Sequence, residues 1–120
     1  MNFTDCLIRN GIVFKKQEYN DNCILFKIKN AINIVFMNEN SSSFKLDRDL
    51  FYYLINQNLP YAFVLFNKKE NKVFYLEFKD KINWLASSFE RCNKNSLYLG
   101  KIVLNNQSDE MTILKQIQIF

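Results

Sequence analysis

The chain has 120 residues, 48% of them hydrophobic, which predicts a single domain, 1–120, around one buried core. Its formal net charge of +4 permits a nucleic-acid partner without requiring one. The absence of histidine excludes Ser-His and Cys-His nucleophile pairs and histidine general bases, so any chemistry would use Asp, Glu, Lys, Tyr, Ser or Cys.

The first forty residues predict one helix followed by three strands. The expected ranges are 2–10 for the helix and 12–19, 23–29 and 32–37 for the strands. Gly11 should close the helix, and Asp21-Asn22 predicts a hairpin turn between the first two strands. The third strand runs into polar residues 38–43, which makes its end a natural place for an active site.

The rest of the chain predicts two helices and three strands. The expected ranges are a helix from Asp47 to before Pro60, strands 61–67 and 72–79, a helix 81–93 and a strand 97–104. Asp47 is a good N-cap, and Leu46 can pack on Phe51 in the helix that follows. Residues 109–120 stay open, because Ser108 could cap a helix whereas "QIQIF" alternates like a strand.

This order, α-β-β-β-α-β-β-α-β, predicts an α/β (α+β) domain with a mixed central sheet and helices on its faces. The stretch "FKLDRDLFYYLINQNLPYAFVLFNKKENKVFYLEF", residues 44–78, resembles part of the restriction-endonuclease-like fold, the nucleases marked by D…(D/E)-x-K. That resemblance implies a site in which carboxylates hold Mg²⁺ and a lysine steadies the developing charge.

The implied catalytic motif would fall near Phe36-Met37-Asn38, where neither acid nor lysine is present. Asp21 is the only candidate for the separate aspartate of that family. Glu77-Phe78-Lys79 spells E-x-K but follows the second helix-strand unit, where the family has no catalytic motif. We therefore expect no catalytic residues and no bound metal. The alternative is a shifted motif that uses Asp21, Glu39 and a nearby lysine.

Nine cations are candidates for binding nucleic acid or a protein partner: Lys15, Lys16, Lys27, Lys29, Lys45, Arg48, Lys68, Lys69 and Lys72. Such a surface can hold phosphates with an affinity that falls as salt rises. Glu18 and Glu70 lie among these cations. They favour the alternative, in which the cations form ordinary solvent-exposed rims of the domain without a binding role. Tyr52, Tyr53 and Trp84 fall partly off the apolar helix stripes, where they could stack on bases, anchor a protein or cover the core edge.

Three cysteines, Cys6, Cys23 and Cys92, are odd in number and far apart, which favours reduced thiols in a cytoplasmic protein. Each is next to apolar residues, so we expect buried side chains. The first ten residues lack the pattern of a signal peptide, and no apolar run is long enough to cross a membrane.

Two functional hypotheses follow. The first is a non-catalytic binding protein on a degenerate nuclease-like scaffold, without a cofactor, that acts on nucleic acid or on a nucleic-acid-processing protein. A phage or mobile-element inhibitor of host defence, such as an anti-CRISPR protein, would fit this description. The second is an Mg²⁺-dependent DNA endonuclease of homing or repair type. An exposed edge strand at 97–104 would also allow two chains to pair as a homodimer.

Overall fold

The structure, a computed structural model, describes residues 1–77, 82–92, 95–100 and 105–119, and the side chains of 82–85 and 92 are not described. The helices and strands of this part of the chain are, in order, α1 (Phe3–Arg9), β1 (Phe14–Asn20), β2 (Cys23–Ile28), β3 (Ile32–Glu39), β4 (Lys45–Asp47), α2 (Arg48–Ile55), β5 (Tyr61–Asn67), β6 (Lys72–Glu77), α3 (Ile82–Cys92), β7 (Ser96–Tyr98), β8 (Gln107–Ser108) and α4 (Glu110–Gln118). None of these helices has the length and apolar character needed to cross a membrane.

Six strands form a mixed central sheet in the order β1-β2-β3-β5-β6-β8. Strands β3 and β5 are parallel, and every other neighbouring pair is antiparallel. Strands β4 and β7 form a separate two-stranded antiparallel sheet. The predicted α+β class and mixed central sheet are therefore confirmed.

Helices cover both faces of the central sheet. Val35 and Met37 belong to the core cluster that includes α2 and Phe89 of α3, whereas Ile34 and Phe36 belong to the cluster that includes α1 and α4. We call these two sides the α2 face and the α1 face. Every residue of β5 is buried, as predicted for a central strand that is covered on both sides.

The predicted helix boundaries have direct structural causes. The Asp47 side chain accepts a hydrogen bond from the backbone N of Asp49 at 3.0 Å, which confirms the N-cap of α2. At the end of α1, Gly11 adopts a left-handed φ of +66° and its N–H donates to Ile8 O at 3.1 Å. The Ile12 N–H donates to Leu7 O at 3.1 Å, so the end of the helix is closed by two bonds.

The C-terminal third differs from the prediction. The strand expected at 97–104 appears only as β7, which pairs with β4 rather than with the central sheet, and residues 101–104 lie outside the described residues. The open choice for the tail is resolved as helix α4, capped by Asp109 rather than by Ser108, which lies in β8. The alternating pattern of "QIQIF" does not correspond to a strand with one buried face, because Ile117 is buried whereas Ile119 is 77% exposed.

Short strands explain why the element order differs. Strands β4 and β8 contain three and two residues, too few to produce a periodic pattern.

Four predictions concern positions or side chains outside the described residues, namely those for Asp80, Trp84, Cys92 and the E-x-K lysine Lys79.

Candidate nucleic-acid interface

The nine candidate cations do not form one surface, because strand pairing divides most of them between two ends of the sheet. At one end, Asn33 of β3 pairs with Lys27 of β2 and with Tyr61 of β5. At the other end, Glu39 pairs with Asn67, the last residue before the lysine-rich β5–β6 turn. We call these the Asn33 end and the Glu39 end. Asn33 and Glu39 are six positions apart along β3, a distance of about 20 Å.

At the Asn33 end, three polar residues form a row across three strands on the α2 face. Lys15 of β1 is directly opposite Lys27, and Lys27 is directly opposite Asn33. Directly opposite residues project from the same face of a sheet, so the two lysine side chains leave neighbouring positions on one face. Lys16 is opposite Phe26 and therefore projects from the α1 face. Neither Lys15 nor Lys27 forms a salt bridge within the described residues.

A cavity of about 200 Å³ lies over this row, between β1–β3 and the last turn of α2. We call it the basic cavity, and the residues that line it include Lys15, Gln17, Lys27, Asn33, Tyr53 and Leu54. Leu54 is buried, whereas the neighbouring Tyr53 is 44% exposed. The last turn of α2 contains no cation of its own, so the two lysines also bring positive charge to the carbonyl end of this helix.

Asn33 is the most unusual residue of the basic cavity. It is 7% exposed, and its Nδ2 has no hydrogen-bond partner in the described part of the chain. Its backbone N donates to Pro60 O at 2.9 Å, so the residue is fixed at the start of β3. An unpaired buried donor costs about 1–3 kcal/mol, which a ligand acceptor could recover.

Three other predicted cations already contact protein groups. Arg48 donates from Nη2 to Phe89 O at 2.7 Å, and its guanidinium lies 5.8 Å from the centre of the Phe89 ring. The Nζ of Lys45 lies 5.2 Å from the centre of the Tyr98 ring. At the Glu39 end, Lys72 forms a salt bridge of 3.2 Å to Glu70. Arg48 in particular joins α2 to α3, which is a structural role.

The remaining three cations are exposed in turns. Lys68 and Lys69 begin the β5–β6 turn at the Glu39 end. Lys29 lies beyond the end of β2, in the β2–β3 turn with a φ of +55°, rather than on the strand face where the sequence places it. Its backbone N donates to Val13 O at 3.1 Å, so Lys29 lies beside the start of β1 and close to the Asn33 end.

The alternative catalytic residues meet in a second cavity, at the Glu39 end. This acidic cavity, of about 310 Å³, includes Tyr19, Asp21, Glu39, Lys45 and Asp47 in its lining. The Tyr19 hydroxyl donates to Asp47 Oδ2 at 2.6 Å, and burial together with this carboxylate raises the tyrosine pKa to about 12. Within the described residues, no three Asp, Glu, Cys or His side chains are close enough to hold a metal ion together.

The position implied for the nuclease motif offers no catalytic groups. Met37 lines the acidic cavity, whereas Phe36 is buried on the α1 face. Asn38 is half-buried, and its Oδ1 lacks a hydrogen-bond partner among the residues that the structure describes. An amide at this place cannot supply the positive charge of a lysine.

Two cysteines are buried, as predicted. Cys6 and Cys23 are 1% and 4% exposed. Burial is the largest cause that raises the pKa of each thiol to about 12. The neutral thiol therefore predominates at neutral pH, and neither cysteine is an activated nucleophile.

The sequence argument identified the lysines of the basic cavity but missed the role of Asn33. The sequence did contain a signal for Asn33, because it is the one strongly polar residue in the otherwise apolar run from Ile32 to Met37. Tyr53 was identified as an aromatic residue off the helix stripe, but the residues around it were not predicted.

Comparisons with protein-family models, curated proteins and solved structures give no match for this chain.

Proposed function

We propose that this protein binds nucleic acid without cutting it, through the Asn33 end of the sheet. The observation that carries the proposal is the row in which Lys15 is opposite Lys27 beside Asn33, whose Nδ2 has no hydrogen-bond partner among the described residues. Like charges placed directly opposite each other destabilise a sheet. A phosphate between them would replace this repulsion with two charge-assisted hydrogen bonds, which are the stronger kind.

We further propose that the scaffold is a degenerate restriction-endonuclease-like fold. Three antiparallel strands after a helix, followed by a helical crossover to the parallel strand β5, support this assignment. The residues Phe36, Met37 and Asn38 at the implied motif position support the absence of cleavage. A phage or mobile-element inhibitor of host defence remains the biological setting that we propose for such a scaffold.

Fluorescence anisotropy with labelled single-stranded and duplex oligonucleotides tests the binding proposal. We expect affinity that falls as salt rises, because bound phosphates release counterions. Lys27→Gln should weaken binding roughly tenfold, the value of one lost charge-assisted hydrogen bond. The matched control is Lys69→Gln, which removes the same charge at the Glu39 end and should change affinity less than twofold.

Three outcomes would contradict the proposal. Equal losses for the two variants would mean that the charge acts without a localised site. No salt-sensitive binding to any nucleic acid would favour a protein partner instead. Metal-dependent cleavage would favour a nuclease. Whether two chains form a homodimer is a separate question, which light scattering tests.

The second candidate function is an Mg²⁺-dependent endonuclease at the acidic cavity. One observation favours it, namely that Asp21, Glu39 and Lys45 line the same cavity. Carboxylates and a lysine are the groups that metal-assisted phosphodiester hydrolysis uses. Incubation of supercoiled DNA with Mg²⁺ or Mn²⁺ tests it: cleavage that is lost in Asp21→Asn and Glu39→Gln would establish this function, and we expect no cleavage.

A further inference from the structure

We infer that the basic cavity takes one unpaired nucleotide of a nucleic-acid strand, with its phosphate between Lys15 and Lys27 and its base on Tyr53. This inference rests on the proposed nucleic-acid binding and adds the form of the ligand, a single strand rather than a duplex. It concerns the Asn33 end, away from the position that the nuclease resemblance implies for catalysis.

The phosphate position follows from charge. Lys15 and Lys27 face each other without a salt bridge in the described ranges, and Lys27 is half-buried. A monoanionic phosphodiester can accept hydrogen bonds from both ammonium groups at once. Lys29, two residues beyond Lys27 and exposed, is near enough along the chain to contact an adjacent phosphate.

The base position follows from Tyr53. This side chain is on the last turn of α2 at the cavity, and 44% of it is exposed although its neighbour Leu54 is buried in the core. An exposed aromatic ring beside a cationic groove is the usual platform on which proteins stack an unpaired base. The ring of Tyr52, by contrast, packs on Phe51 with 5.4 Å between the ring centres.

Asn33 supplies the polar contact inside the cavity. Its Nδ2 is buried and has no partner among the residues described, while its place at the start of β3 is fixed. We assign this group as the donor to an acceptor atom on the base edge. The faces of a base are stacked in a duplex and its Watson–Crick edge is paired, so a cavity that stacks one face on Tyr53 selects single strands.

The size of the cavity supports one nucleotide rather than several. Its volume of about 200 Å³ is small and is bounded by the sheet on one side and by α2 on the other. β1 lies at one edge of the six-stranded sheet, so the remainder of a bound strand would leave the cavity past that edge. The bases outside the cavity would then make few contacts.

Binding of a fluorescein-labelled single-stranded oligodeoxythymidylate tests the inference. Tyr53→Ala should weaken binding roughly tenfold, the typical effect of removing one stacking platform, and Tyr53→Phe should retain the affinity. Tyr98→Ala is the matched control, because Tyr98 is 61% exposed on β7, outside the basic cavity. Asn33→Leu should also weaken binding while the protein remains folded, since the Asn33 Nδ2 forms no hydrogen bond with the described part of the chain.

An oligonucleotide of the same length with abasic residues separates the base from the phosphate. The wild-type protein should bind it more weakly than Tyr53→Ala binds the normal strand, because the contacts of the base with Tyr53 and with Asn33 are both lost. Removal of the bases should cost Tyr53→Ala less affinity than it costs the wild type, because only the Asn33 contact is left to lose. If the wild-type protein binds duplex as well as single strand, and if Tyr53→Ala and Asn33→Leu bind like wild type, the inference is overturned while nucleic-acid binding stands. If no nucleic acid binds at all, the proposed function fails as well.

Discussion

Replacing Lys15 with threonine should stabilise the free protein and, at the same time, weaken its binding of nucleic acid. Lys15 and Lys27 are directly opposite each other on the α2 face, and neither forms a salt bridge with the described residues. Lys15→Thr removes one of the two charges. If Lys15 served packing alone, its substitution would lower the free energy of unfolding. An increase would instead show that Lys15 destabilises the free protein and is retained for binding.

The geometry sets the size of the effect. The Cβ atoms of directly opposite residues are about 5 Å apart, and flexible lysine side chains can spread their ammonium groups to about 8 Å. Two unit charges at about 8 Å repel each other by about 0.5 kcal/mol in water. Lys27 is half-buried, which lowers the local dielectric constant and moves the repulsion towards about 1 kcal/mol, the upper end for cross-strand pairs.

Urea unfolding measures this gain, with Lys16→Thr as the matched control. Threonine favours strands more than lysine does, and both positions are on the same edge strand, so both variants share that effect. Lys16 is directly opposite Phe26, so the residue across from it on β2 carries no charge of either sign. The difference between the two variants should be about 0.5–1 kcal/mol at low salt and about threefold smaller at 0.15 M salt, where the Debye length is about 8 Å.

Two results would refute this reasoning. If Lys15→Thr is no more stable than Lys16→Thr at low salt, the two ammonium groups do not repel each other in the free protein. If Lys15→Thr is less stable than wild type, the charge of Lys15 serves the carbonyl end of α2 instead of a ligand. Retained affinity for nucleic acid in Lys15→Thr would contradict the binding role directly.

Further predictions concern the scaffold. Asp47→Ala removes the N-cap of α2 and should lower the free energy of unfolding by about 1–2 kcal/mol in urea. Arg48→Ala removes the hydrogen bond to Phe89 O and should cost about 1–3 kcal/mol in the same assay, with less than a twofold change in nucleic-acid affinity. Cys6 and Cys23 should resist iodoacetamide at pH 8 in the folded protein and react in urea, as judged by peptide mass spectrometry. Because burial raises the pKa of the Cys23 thiol from 9.0 to about 12, its contribution to stability should be complete below pH 9 and lost as the pH rises towards 12, which unfolding curves over this range would measure.

Long or strongly patterned elements could be predicted from the sequence. The continuous apolar run of β5 and the capping signal of Asp47 both gave correct elements, because each depends on local chemistry. Strands β4 and β8 are short, and they exist through pairing with β7 and β6, which are distant along the chain. Local pattern cannot reveal such pairings.

The candidate site depended on a detail of register. A regular hairpin with Asp21-Asn22 as its two-residue turn would place Lys16 opposite Lys27. The structure instead has an irregularity between Glu18 and Asn20, which shifts the register by one residue and brings Lys15 opposite Lys27. One extra residue in a strand exchanges the two faces, so the sequence predicted the lysines but not which of them meet.

The measurement that tests the central claim most directly is nuclear magnetic resonance of the ¹⁵N-labelled protein titrated with a single-stranded oligonucleotide. The side-chain amide of Asn33 gives its own pair of signals, and its Nδ2 has no partner within the structure's described residues. Binding at the basic cavity predicts that these signals move together with the backbone signals of Lys15, Lys27 and Tyr53, while those of Lys69 stay in place. Shifts confined to the β5–β6 turn, or no shifts at all, would contradict the claim.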